Sequence, residues 1–341
     1  MFGWGVRLIV PLLLALAPCS GNAQDNEPFY KGKTIRLVIS VGVAGGFGEY
    51  ARTLAEHMSR HIPGQPHMIV QSMPGAGGLL ATNHLYNQAP QDGTTIGIIN
   101  ATVPLMPLVG NKQARFDAMK FNWIGTMDRA DGVCTIWHTA GIRTWDDMRT
   151  KEFTVGSIGA GSPMEVYALM FNRLFGAKIK IVGGYKAGSD IDLAMQRGEI
   201  DGRCGTHLTT TKMLHPDWMI GPKFTVPVIV AEKRRGDYPD TPAIMEFVKD
   251  DLTRQKLELM MVPQKLNRPV LTPPNVPSER VKELRDAFDT TMKDPIFLAE
   301  VTKKGMQIDA TGGEEVTSVL AKAYALPEDV VAAVRDMIGT N

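Results

Sequence analysis

The chain is 341 residues long, with 37 Lys+Arg against 36 Asp+Glu, 44% hydrophobic residues and three cysteines. That balance excludes an electrostatic case for nucleic acid or an anionic membrane as partner. The length suffices for two lobes with separate cores.

The first segment, MFGWGVRLIVPLLLALAPCSGNAQ, carries Arg7 as its sole charge, then an apolar run from Leu8 to Ala17, then Gly21 and Ala23 before a plausible cut. That is the order of a secretory signal, and the apolar run is too short to span a bilayer comfortably. The expectation is a signal peptide over residues 1–23, cleaved near Ala23–Gln24, and a soluble product in the periplasm. A lipoprotein anchored at Cys19 is the lesser alternative, because Pro18 stands where a small residue is wanted. Cys134 and Cys204 then remain in an oxidising compartment, where a disulfide and two buried free thiols both stay open.

Downstream, short β-like runs alternate with helical periodicity. Ile35 to Val41 reads as a strand, Gly42 to Gly48 as a turn, and Ala51, Leu54, Ala55, Met58 and Ile62 as one helix face. Met68 to Val70 and Thr95 to Ile99 are further strands, which makes βαβ units and a mainly parallel sheet. Phe153 to Ser157 is a strand, followed by a Gly-rich turn and a helix face from Met164 to Phe175. Ile179 to Val182 and Gly202 to Thr206 are strands, and Ser189 or Asp190 is placed to cap the helix between them. The tail is helical: one helix begins at Pro277-Ser278, Thr311 and Glu314 have capping-box spacing, and Pro327 suits the first turn of the last helix.

Catalytic patterns are missing. There is no G-x-S-x-G and no H-E-x-x-H, and the glycines at 45, 46 and 48 do not fit G-x-G-x-x-G. His57 and His61, four apart on a helix, are read as exposed, since no carboxylate or cysteine stands at ligand spacing. Neither a cofactor nor a metal is expected. Two Gly-rich turns, Gly42 to Gly48 and Gly156 to Ser162, each sit between a strand end and a helix start. That geometry offers unpaired backbone N–H groups and the positive end of a helix dipole, and so favours an anion.

These motifs resemble the Bug-type substrate-binding receptors of tripartite tricarboxylate transporters. The resemblance rests on Val43-Ala44-Gly45-Gly46-Phe47-Gly48-Glu49-Tyr50-Ala51-Arg52, on Ser72-Met73-Pro74-Gly75-Ala76-Gly77-Gly78, on Ala89 to Thr95, on Gly156 to Pro163 and on Tyr185-Lys186-Ala187-Gly188, in that order. Three departures stand out: Gly48 replaces the first-loop Asp, Met73 the Arg of the second signature, and Glu165 a His that often follows the middle turn.

The resemblance implies a two-lobed α/β periplasmic binding protein (type II-like), each lobe a mainly parallel sheet flanked by helices. It implies a first lobe of residues 25–128 plus 232–341, a second of 129–231, and a hinge near Gly125–Asp131 and Val230–Arg234. The implied function is capture of a small carboxylate by a monomer that hands it to membrane subunits of the transporter, without turnover. The implied ligand set is Ala44, Gly45, Gly46, Phe47, Gly48 and Thr102 on one side, with Ser157, Gly159, Ala160, Gly161, Ser162, Tyr185 and Thr206 on the other. An exported carboxylic esterase with His207 as base, and a sensor docking on a signalling partner, are the competing readings. Packing at the core or rim is the plainer role for His207.

Overall fold

The computed structural model describes residues 1–3, 5, 27–221 and 223–339. The expected signal segment and Cys19 lie outside the described residues. Among the described residues, no helix is long and apolar enough to cross a membrane.

The first stretch of the chain builds β1 (Thr34–Ile39), α1 (Gly46–Met58), β2 (His67–Ser72), α2 (Leu79–Asn87), β3 (Thr95–Ile98) and β4 (Asn122–Asp128). Next come β5 (Gly132–Trp137), α3 (Trp145–Thr150), β6 (Phe153–Gly156), α4 (Pro163–Phe175), β7 (Ile179–Val182), α5 (Gly188–Gln196), β8 (Gly202–Thr206), α6 (Leu208–Leu214), β9 (Phe224–Thr225) and β10 (Ile229–Val230). The chain then forms α7 (Asp251–Met261), β11 (Asn267–Thr272), α8 (Ser278–Thr291), α9 (Pro295–Lys303), β12 (Thr311–Gly312), α10 (Gly313–Tyr324) and α11 (Glu328–Ile338).

Two sheets result. One has the order β12-β4-β11-β3-β1-β2, the other β10-β5-β8-β6-β7, with β9 also beside β5. In the first sheet β1 runs parallel to β2, from Thr34 opposite His67 to Ile39 opposite Ser72, and parallel to β3. In the second, β6 runs parallel to β7 and β8. Helical crossovers between these strands are the βαβ units that the alternating pattern predicts. The strands beyond them, β11, β4 and β12 in one sheet and β5, β10 and β9 in the other, pair antiparallel. β4 and β5 are also where the chain leaves one sheet for the other, with only three residues, Arg129–Asp131, between them.

The helix α1 shows why these segments pack as they do. Tyr50, Ala51, Leu54, Ala55 and Met58 recur at helical spacing, and all are buried. They meet Leu37 and Ile39 of β1 and Leu284 and Phe288 of α8 in one cluster. A fully buried side chain such as Leu54 contributes about 1.5–3 kcal/mol. The second unit has its own cluster, Ile191, Ala194, Met195, Ile200 and Trp218.

Three local readings need correction. Thr311 does not cap α10: it pairs with Thr126 of β4, and the cap is Gly312 with no side-chain bond. The sheet edge takes the threonine that the capping pattern claimed. The N-cap of α5 is Ala187 rather than Ser189 or Asp190; the Asp190 carboxylate instead accepts from the N–H groups of Lys186 and Ala187, at 3.1 Å each. His57 and His61 are not exposed. His57 is 1% exposed, with Nε2 2.7 Å from Glu300, and His61 lies 2.9 Å from Asp294. Helix α9 covers that side of α1, a contact made across more than 230 residues and so invisible to local periodicity.

Cys134 on β5 and Cys204 on β8 are joined in a disulfide, with Cα atoms 3.9 Å apart and 70 residues between them in sequence. Of the two states the sequence left open, the structure holds the bridged one.

Candidate functional site

Three helix N-termini from the two lobes point into one cavity between the sheets. Helix α1 contributes Gly46 and Phe47, α4 contributes Pro163 and Met164, and α5 contributes Gly188 and Ser189. The first-turn N–H groups of a helix have no partner within it, and Gly45 offers α1 no side-chain cap. Gly45 carries a φ of +84°, and its α-hydrogen side faces the backbone nitrogen of Ser189, so the starts of α1 and α5 meet directly. The aligned dipoles make the space between them favourable for negative charge. The Ser189 hydroxyl, buried in this wall, has no hydrogen-bond partner among the described residues. A buried hydroxyl without a partner costs free energy that a polar ligand recovers.

Two arginines complete the wall, each with 4% or less of its side chain exposed. Arg203, on β8, lies 3.0 Å from Asp192 and donates to Gly188 O at 3.1 Å and Thr206 Oγ1 at 2.6 Å. Arg268, on β11, pairs with Asp128 and donates to Thr210 Oγ1 at 2.9 Å. The Nε of both arginines is buried and has no partner among the described residues. Burial pushes the Asp128 carboxyl up, against the opposing pull of Arg268. The rest of the wall is largely apolar, including Val41, Ile158, Tyr167, Leu214 and Pro263, with amides from Asn100, Gln264 and Asn267. The cavity has a volume of about 110 Å³, room for a compact organic molecule.

His207 also lines the cavity. Burial, aided by the charges of Arg268 and Arg203, lowers its pKa to about 4, so the ring is neutral at pH 7. Its Nδ1 faces Asp131 O at 3.1 Å, and among the described residues no hydroxyl hydrogen-bonds to the ring. A nucleophile and base pair of the kind a hydrolase needs is therefore not assembled around it.

Of the residues expected from sequence, Ala44, Gly46, Phe47 and Thr206 lie on the cavity wall. Gly45 faces Ser189 at its edge. Gly48 is buried in the first turn of α1: a Cβ there would lie 1.9 Å from Val43 O, so no side chain fits at the position where the resemblance implied an Asp. The turn from Ser157 to Ser162 is used differently. The Ser157 hydroxyl stands 3.3 Å from Ser162 Oγ and 3.4 Å from Glu165, and Ser162 caps α4. Those hydroxyls satisfy one another.

Gly159, Ala160 and Gly161 seat against the first lobe. A Cβ on Gly77 would lie 2.1 Å from Ala160 O, one on Gly159 would lie 3.0 Å from Gly77 N, and Thr102 donates to Gly161 O at 2.7 Å. Tyr185 packs with the cluster around Ile191 and Trp218 rather than on the wall. Gly42 N donates to Lys186 O at 3.0 Å, a further bond across the cleft. The lobes are thus closed on one another.

Sequence reasoning missed Ser189, Arg203, Arg268, Asn100 and Thr210. The one legible signal was Arg203 inside the short strand read at Gly202 to Thr206, because a buried arginine needs a reason; β11, which carries Arg268, was not read from the sequence. Glu49 sits off the wall and pairs with Arg52 on the surface of α1. Glu49→Gln is therefore expected to leave ligand affinity within about twofold and to cost only tenths of a kcal/mol in stability. Calorimetry on the variant checks this, and a tenfold loss of affinity would contradict it.

Outside the cleft, Glu56, His57 and Glu300 bring one ligand atom each within 4.8 Å of one another. The Lys304 ammonium lies 2.6 Å from Glu300, and so already supplies the positive charge that a cation would bring.

The sequence profile of the tripartite tricarboxylate transporter family receptor, TctC, matches residues 50–331. A UPF0065 protein of Bordetella bronchiseptica is 30% identical over 113 residues, 33% of this chain and 32% of that protein, so the match spans about a third of that relative's length. Among solved structures, the periplasmic binding protein BugD superposes with a TM-score of 0.71 at 16% identity, over 92% of this chain and 99% of that one. MatC (Rpa3494) from Rhodopseudomonas palustris, solved with bound malate, gives a TM-score of 0.67 at 18% identity, over 90% and 99%. At those identities the structures speak to the fold, which is that of a two-lobed periplasmic binding protein. With the profile covering most of its length, the chain belongs to the TctC (Bug-type) receptor family of tripartite tricarboxylate transporters.

Proposed function

We propose that this protein is an extracytoplasmic receptor that closes over a small carboxylate and delivers it to the membrane subunits of a tripartite transporter, acting as a monomer and without turnover. The observation that carries the reading is the convergence of the α1, α4 and α5 N-termini with buried Arg203 on one cavity between the lobes. Family membership and the malate in MatC support the ligand class. One carboxylate would rest on the N–H groups of Ala44 to Phe47 and of Gly188 and Ser189, with the Ser189 hydroxyl as donor. Thr206, held by Arg203, would accept or donate to the remainder of the ligand.

The lobes are proposed as residues 25–128 plus 232–341 and 129–231. The division of strands supports this, since every strand through β4 and from β11 onward lies in one sheet and β5 to β10 lie in the other. Helix α11 packs against α4 of the second lobe as well as α7, so the C-terminal helix straddles the boundary. Cleavage after Ala23 and release into the periplasm belong to the same reading.

A thermal-shift screen of the mature protein against carboxylates tests it, because a ligand that binds only the folded state raises the melting temperature, by about 2.7 kcal/mol of added stability at a hundred times Kd. Malate, succinate and adipate are the first probes, and the expected result is a saturable rise for at least one. A rise with neutral sugars or amines and none with any carboxylate would reject the proposal.

A further inference from the structure

We infer that Arg268 couples ligand capture to lobe closure, reading an anionic group in the cavity while its guanidinium holds Thr210 of the opposite lobe. The inference rests on the carboxylate-site reading above and goes beyond it in assigning the residue that converts binding into closure.

Arg268 is held in the first lobe on more than one side. Its guanidinium carbon sits 3.8 Å from the centre of the Tyr50 ring, in cation–π geometry. Tyr50 is itself fixed: its hydroxyl donates to Gln307 O at 2.9 Å and accepts from Gln307 N at 2.9 Å. Asp128, 1% exposed and bonded also by the Asn267 amide at 3.0 Å, holds one edge of the guanidinium. The backbone at Arg268 has a φ of +57° inside a strand, a conformation that a non-glycine residue keeps only where its surroundings enforce it. Such strain is concentrated at functional sites more often than in passive core.

Its free edge faces the other lobe. Nη2 donates to Thr210 Oγ1 on α6, and the methyl of the same threonine fills the notch left by the missing side chain at Gly46, 2.6 Å from where a Cβ would stand. Thr210 thus plugs between Arg268 and the start of α1, and all three line the cavity. Among the described residues Nε has no partner in this arrangement, which leaves one buried charged donor for a ligand to satisfy. With the α1 and α5 N-termini at one part of the wall and Arg268 at another, a ligand anion touching Arg268 stiffens the group that grips Thr210. Binding and closure then share one side chain.

Two variants test this, with malate, succinate and adipate as probes. Arg268→Lys keeps the charge beside Asp128 but loses the planar fork and the stacking. Thr210→Val keeps the shape at Gly46 and removes only the acceptor. Affinity is read by calorimetry, closure by the ligand-dependent fall in radius of gyration in solution scattering, and folding by ligand-free melting.

The expected result is a loss of affinity of about ten- to a hundredfold in Arg268→Lys, about three- to tenfold in Thr210→Val, and a reduced compaction on binding in both. Their combined effect should be smaller than the product of the two, since both break one link. Wild-type affinity and full compaction in a folded Arg268→Lys protein would overturn the coupling while leaving the carboxylate reading intact. Should Arg268→Lys fail to fold, Thr210→Val decides alone, and unchanged compaction there overturns the inference. If the wild-type chain binds no carboxylate in the wider thermal-shift screen, the carboxylate reading fails and the coupling falls with it.

Discussion

Replacing Gly46 by valine is expected to cut carboxylate affinity by about ten- to a hundredfold while leaving the fold intact. Gly46 is the first residue of α1, and the positive φ in this turn belongs to Gly45, so a β-branched residue at 46 meets no backbone strain. What it meets is the opposite lobe. Its Cβ would stand 2.6 Å from the Thr210 methyl and 3.2 Å from Met213 Cε. The methionine end can swing aside, but the threonine, held by Arg268, has little room. Valine therefore props the cleft open and crowds the N–H groups that face the ligand. Calorimetry against the best carboxylate measures the loss, and ligand-free melting confirms the fold. Unchanged affinity in a folded variant would mean that the turn is no part of the site.

Removing the disulfide is the other large effect. The chain-entropy estimate for a loop of this length is about 4 kcal/mol, within the roughly 2–5 kcal/mol usual for a native bridge. The Cys134→Ala, Cys204→Ala double variant should lose stability of that order, and a strong reductant should do the same to the wild type. Both sulfurs are fully buried among the second lobe's strands, so the alanines add the cost of a small cavity. Urea unfolding of oxidised, reduced and double-variant protein compares the three. Coincident curves would show that the bridge adds nothing. Because β8 carries Arg203 and Thr206 directly around Cys204, reduction is also expected to loosen that wall and weaken binding.

How much of this was legible in the sequence follows from which contacts are local. The strand at Ile35, the α1 face from Ala51 to Met58, and the turns at Gly42 and Gly156 are written in nearest-neighbour chemistry, and periodicity finds them within a residue or two. Gly46 and Phe47 came into the site because a strand–glycine–helix turn states its own anion preference. Arg268 did not, because its meaning depends on Asp128 140 residues away and Thr210 58 residues away. The serines at 157 and 162 looked like ligand donors for the same local reason, yet the fold brings them within reach of one another and of Glu165. A hydroxyl's partner is settled by tertiary geometry, and no spacing rule supplies it.

The meeting of the Gly77 and Gly159–Ala160 turns sets a tolerance on what the cleft accepts. Backbone there lies against backbone with no side chain to yield, so the two turns either seat or stand apart. A guest slightly too bulky for the cavity would hold these rigid surfaces apart and forfeit Thr102's bond to Gly161 along with the rest of the contact. The seam adjoins the cavity wall through Asn100, which lines the cavity and donates to Gly77 O at 2.7 Å. Substitutions that widen specificity are then to be sought among the residues framing that seam, as well as among those lining the pocket.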